Sequence, residues 1–152
     1  YLLWVNKSKP SRHKRDLGVL LLLIVMDGLI VVFIDLLMEP LQVRAGNWVW
    51  LTTGSYFNIP VGNFVGWFIV TVTATGLFRS FEYLFPPRNE RVVGSVMLIP
   101  VIGYGVLSLA LVWFSLTNQS PILAVIGSLT MFPVMVINLK LYTIWKKKFI
   151  II

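Results

Sequence analysis

Residues 17–38 read LGVLLLLIVMDGLIVVFIDLLM, and this stretch decides the fold. It holds two acids, Asp27 and Asp35, no basic residue, and otherwise glycine and large apolar side chains. A run of about 18 or more apolar residues is long enough to cross a hydrocarbon core about 30 Å thick as a helix. Being apolar nearly all round, the run suits a helix whose surface is shared between lipid and protein neighbours. Pro40 disfavours helical geometry at Glu39, so the span is expected to end at Met38.

Three more runs of this kind follow, at about 59–78, 92–116 and 121–145. The whole chain is 57% hydrophobic and 12% charged, against about 25% charged in a soluble domain. The expected fold class is therefore all-α, a polytopic membrane bundle with four spans in a single domain. The tail-like opening Tyr1-Leu2-Leu3-Trp4-Val5 and the apolar ending Phe149-Ile150-Ile151-Ile152 read as a segment of a longer chain.

Charge orients the spans. The net charge is +7, and the basic residues sit in short clusters beside the apolar runs. Loops rich in Lys and Arg stay cytoplasmic. With both ends of the chain and the Arg79–Arg91 connection inside, only Arg44 of the 13 Lys and Arg residues falls on the far side. Clusters so placed fit an anionic lipid surface. No basic face with base-stacking aromatics is visible, so nucleic acid is not expected as a partner.

Between the first two runs lies an aromatic and polar segment, Leu41 to Asn58, with Trp48, Trp50, Tyr56 and Phe57 among Arg44, Asn47, Thr52, Thr53 and Ser55. It reads as an interfacial loop or a re-entrant segment. In the second run, Gly62, Gly66 and Gly76 have the small-residue character that lets membrane helices approach closely. In the third, Pro100, Gly103 and Gly105 fit a kink or a close contact.

Chemistry concentrates at the end of the first run. An acid inside a membrane helix is expensive and marks a functional candidate. Helical rotation sets Asp35 and Glu39 about 40° apart, one turn from each other, with Asp27 about 80° from Asp35 on the same broad side. The bland alternatives are a carboxylate reaching interfacial water for Asp35 and Glu39, and either protonation or a bond to a neighbouring helix for Asp27. The aromatic group beyond is an interfacial belt or, alternatively, a cage able to stabilise a cation through ring quadrupoles. Asn47, Asn58 and Asn63 could orient water or cap backbone groups. The chain has no cysteine and one histidine, His13, so neither a thiolate nucleophile nor a metal cluster is expected. No phosphate-cradling glycine loop or serine–histidine pairing appears.

The ordered elements Asp35-Leu-Leu-Met-Glu39-Pro40, Gly46-Asn-Trp48-Val-Trp50, Tyr56-Phe57-Asn58-Ile-Pro60 and Asn63-Phe64-Val-Gly66-Trp67 resemble the membrane-bound carotenoid biosynthesis protein family, which includes bisanhydrobacterioruberin hydratases and related carotenoid hydratases. The family usually has Asp in place of Glu39 and Gly in place of Asn58, and Asn tolerates positive φ better than most residues. The resemblance implies water addition across the terminal double bond of an acyclic carotenoid, without a cofactor and without a metal. It further implies Asp35 and Glu39 as acid and base, with Trp48, Trp50, Tyr56 and Trp67 lining the cationic end and Asn63 positioning water. Implied surroundings are the lipid bilayer of a prokaryotic cell membrane, an apolar carotenoid substrate and other enzymes of the same pathway. A carotenoid-binding scaffold needs the groove and the aromatics but no acid. A small transporter would need polar groups in several spans, and the second to fourth runs have no acid in their cores, with Lys140 near an end.

Overall fold

The structure is a computed structural model and describes residues 14–85, 96 and 98–150. Four helices make up the described fold: α1 (Lys14–Arg44), α2 (Val61–Leu84), α3 (Leu98–Thr117) and α4 (Pro121–Ile150). Each contains a stretch long and apolar enough to cross a membrane. The helical membrane bundle expected from hydropathy is the fold. His13, the basic run before Lys14, the Pro86-Pro87 connection and the first residues of the expected third span lie outside the described residues.

α1 is the centre of the bundle. It packs against all three other helices, with α2 chiefly on one side and the α3–α4 hairpin on the other. The core on the hairpin side is Leu37, Leu111 and Met131, flanked by Phe33, Ile34, Tyr104, Val112 and Ile126. Gly127 makes this approach possible, since a Cβ there would lie 2.2 Å from Leu37 Cδ2. On the other side Gly28 does the same for α2: a Cβ would stand 2.7 Å from the Phe68 ring and 2.8 Å from Val72 Cγ2.

Arg44, in the last turn of α1, donates to the Asn118 carbonyl at 2.6 Å and to Ser120 Oγ. The end of α1 therefore meets the α3–α4 turn, as alternating spans require. Polar side chains within α3 and α4 bind their own helix: Ser108, Ser115, Ser128 and Asn138 each donate to the carbonyl four residues back. Such back-bonding satisfies a polar group where no water is available.

The first span does not end at Met38. α1 runs unbroken through Glu39 and Pro40 to Arg44. A proline inside a helix leaves the carbonyl four residues earlier without its donor, here the carbonyl of Leu36. The phenol of Tyr56 donates to that oxygen at 2.9 Å. A long-range partner thus replaces the missing backbone bond, and the helix continues.

Three further boundaries and contacts differ from the sequence reading. α2 begins at Val61, not residue 59, and continues past residue 78 to Leu84, taking in Arg79. That arginine is no loop residue: it grips Asp27 with two bonds, Nε to Oδ2 at 2.7 Å and Nη2 to Oδ1 at 2.9 Å. A paired charge can remain in a span that a lone charge would end. Gly62 and Gly66 face open space, because α2 turns Phe68 and Val72 to α1 and leaves the two glycines on another face. Pro100 sits in the first turn of α3, where the missing N–H would be unpaired in any residue, so it needs no kink. Gly105, by contrast, makes the close contact, its would-be Cβ 2.8 Å from Met135 Sδ.

Candidate functional site

The two acids of interest occupy successive turns of α1 and are nearly closed off from the surface, Asp35 at 3% and Glu39 at 4% exposure. Apolar neighbours alone would leave both carboxyl groups unsatisfied, at a cost of several kcal/mol. Their partners come from the segment after α1 and from the start of α2. Asn63 Nδ2 donates to Asp35 Oδ2 at 2.6 Å. The indoles of Trp48 and Trp50 both donate to Glu39 Oε1, at 2.8 and 2.6 Å.

Local sequence explains how residues 45–60 reach back over α1. Gly46, at φ 74°, turns the chain just past the helix end, and Asn47 bonds back to Gln42. Residues 48–50 follow without regular secondary structure; both indoles reach Glu39, while Val49 between them is left 79% exposed. A tight reversal follows at Tyr56–Ile59, closed by the Ile59 N–H to the Tyr56 carbonyl at 2.8 Å. Its two central residues, Phe57 and Asn58, have φ of 48° and 66°, the pair of positive angles of a type I′ turn. The tolerance of Asn58 for positive φ, expected from its chemistry, is what the turn uses. Gly54 allows the reversal to close, since a Cβ there would overlap the Ile59 carbonyl at 1.9 Å.

Tyr56 packs edge-on against Phe57 and Phe64, with centroids 4.8 and 5.3 Å apart. Burial pushes its phenol up to about 12 from an ordinary value of 10.0, so it stays a donor at neutral pH. Residues 45–60 therefore form a strap, tied to α1 at Leu36 and Glu39 and continuing into the Asn63 contact on Asp35. Between Arg44, where the strap leaves α1, and Leu36, where it is tied, the helix rises about 12 Å. The segment is a fold-back along α1, and its first four expected residues, 41–44, belong to the helix itself.

A model of the family of carotenoid biosynthesis proteins matches residues 2–133. The chain belongs to that family. No curated protein and no solved structure matches it. The match within the carotenoid biosynthesis family is broader than the stretch from Asp35 to about Ile69 that carries the sequence resemblance. It takes in α1, α2, α3 and the strap completely, and part of α4.

Of the residues singled out from sequence, Asp35, Glu39, Trp48, Trp50, Tyr56 and Asn63 come together at the strap. Trp67 is one turn beyond Asn63 on α2 and is 44% exposed. Asp27 is separate, about two turns from Asp35 along α1, and tied to Arg79 of α2. Sequence reasoning did not find the Leu36 carbonyl as an acceptor, although Pro40 four residues later is the signal for it. Nor did it find that the indoles meet Glu39 through N–H groups, a relation that i, i+2 spacing permits but does not require.

Proposed function

We propose that this protein is a hydratase that adds water to the terminal carbon–carbon double bond of an acyclic carotenoid. The observation that carries the reading is the pair of buried carboxyl groups one turn apart, each held by a donor from outside α1. A binding scaffold would gain nothing from two acids kept out of water at such cost. Membership of the carotenoid biosynthesis family supports a carotenoid as the substrate.

Asp35, with one amide donor, is the acid. Glu39 receives two indole N–H groups on one oxygen, an arrangement suited to a charged acceptor, and serves as the base. The Asp35 proton goes to the less substituted alkene carbon, and the π pair forms that C–H bond. The tertiary cation left at the neighbouring carbon takes the lone pair of water. Glu39 accepts the proton which that water releases, and proton transfer from Glu39 back to Asp35 restores the starting state. The sum is alkene plus water giving a tertiary alcohol, with no change in oxidation state overall. The indole faces beside Glu39 stabilise the cation, and Asn63 fixes the orientation of Asp35.

The test is turnover of an acyclic carotenoid by the full protein in membranes, read by mass spectrometry as a product heavier by one water. Asp35→Asn and Glu39→Gln should each remove product while leaving carotenoid co-purification intact. Wild-type turnover in both would overturn the roles. Carotenoid bound without any hydrated product, from the wild type as well, would replace the enzyme with a scaffold.

The basic flanks support a cytoplasmic location for both ends, which puts Arg44 and the strap at the outer face. A membrane-impermeant maleimide added to intact cells should label Ala45→Cys and spare Lys146→Cys. The reverse pattern would invert the orientation.

A further inference from the structure

The strap has a second side. Where Trp48 and Trp50 turn inward to Glu39, Val49 is 79% exposed and Leu51 completely exposed. In a strap lying in water, two large apolar side chains this exposed would gain nothing. Depth argues against water: the bonds to Glu39 and Leu36 tie the strap below the end of α1. Charge argues the same way, since no Asp, Glu, Lys, Arg or His occurs anywhere from Ala45 to Phe78. The neighbouring start of α2 continues the surface with Val61 and Val65, both exposed on a membrane-spanning helix.

We propose that the outer edge of the strap is a lipid-binding surface, with Val49 and Leu51 seated among the acyl chains at the border of the hydrocarbon layer. Exposed Thr52 and Thr53, next in the chain, reach the headgroup level, where hydroxyls find water. The occupant is the fluid bilayer itself, because the strap runs directly into α2, a membrane-spanning helix with exposed Val61 and Val65, and carries no charged group that a protein partner would need to match. The indole pair is thereby held over Glu39 from both sides, by hydrogen bonds within and by lipid without. The way to the carboxyl pair then lies through the bilayer, where an apolar ligand already is. This inference stands on the strap's geometry and does not depend on hydration chemistry.

The absence of cysteine from these 152 residues makes a direct test practical. The full protein carrying Leu51→Cys, modified with a nitroxide, is reconstituted in phosphatidylcholine–phosphatidylglycerol vesicles. Labels at Ala45→Cys and Val70→Cys give the aqueous and lipid references. The label at position 51 should collide with oxygen, which concentrates in lipid, and lose the collisions with a water-soluble nickel chelate that the position 45 label shows. Nickel collisions equal to those at position 45 would put the strap in water and overturn the proposal. Low collisions with both reagents would also overturn it, because the edge would then be covered by protein, such as a second copy. Val49→Cys should repeat the result at position 51 and serves if the first variant does not fold.

Discussion

Replacing Tyr56 by Phe should destabilise the bundle more when Pro40 is present than when it is not. The ring contacts with Phe57 and Phe64 survive the change, so the deletion removes one hydroxyl and its 2.9 Å bond to the Leu36 carbonyl. Leaving a buried acceptor unpaired costs about 1–3 kcal/mol. In a Pro40→Ala background the amide of residue 40 can bond the same carbonyl, and the helix no longer needs the phenol. There Tyr56→Phe should cost about 1 kcal/mol less than in the wild type, a coupling of the size that shared partners give. Unfolding in mixed dodecylmaltoside and SDS micelles, followed by far-ultraviolet circular dichroism, measures all four corners of the cycle. Additive costs, with Tyr56→Phe equally damaging in both backgrounds, would refute the account of how α1 passes through its proline.

The glycines separate packing from spacing. Gly127→Ala forces a methyl against fully buried Leu37 and should cost about 1–3 kcal/mol, while Gly66→Ala, in open space, should be neutral or stabilise α2 by roughly 0.5–1 kcal/mol. Removing either Asp27 or Arg79 alone strands a charge in the span. Each single variant, Asp27→Asn or Arg79→Gln, should be less stable than the double variant in the same micelle assay, by less than the roughly 3–5 kcal/mol of a fully buried pair, since both side chains are partly exposed. The raised ionisation of Tyr56 gives a pH dependence with a definite sign. Folding favours the neutral phenol, so this stability is fully present below pH 10, the unfolded value, and is lost as pH rises through about 12. The tyrosinate absorbance of wild type minus that of Tyr56→Phe should rise near pH 12 and not near pH 10.

Hydropathy made the four spans and their order legible because lipid allows few alternatives: every backbone polar group must be satisfied within the segment. The same reading failed wherever a distant side chain supplied what the local sequence lacked. Pro40 is a stop signal until Tyr56, far along the chain, provides the donor. Arg79 marks the end of an apolar run until Asp27, on another helix, neutralises it. The Gly62–Gly66 spacing names residues that could permit close packing, but spacing says nothing about which face meets a neighbour, and the tightest approaches to α1 fall to Gly28 and Gly127 instead, while Gly76 meets Ile24 and Gly105 makes the close contact expected of it. At the site, order along the chain was enough to single out Asp35, Glu39, Trp48, Trp50, Tyr56 and Asn63. The bonds among them depend on a fold-back closed by two residues at positive φ, which no periodicity encodes.

The causal order at the strap runs from one residue outward. Pro40 deprives the Leu36 carbonyl of its donor at a partly buried position on a membrane-spanning helix. A donor from elsewhere in the chain must therefore come to it, and Tyr56 does so only if residues 45–55 turn back along α1. That return passes Glu39, one residue before the proline, and brings the indoles of Trp48 and Trp50 within bonding distance of it. The Tyr56–Ile59 reversal then directs the chain into α2 so that Asn63 meets Asp35, one turn earlier on α1. A free carbonyl, two buried acids and their three side-chain donors thus belong to one arrangement. Glu39 next to Pro40 is what links them: the backbone defect that calls the strap back is also what covers the acid.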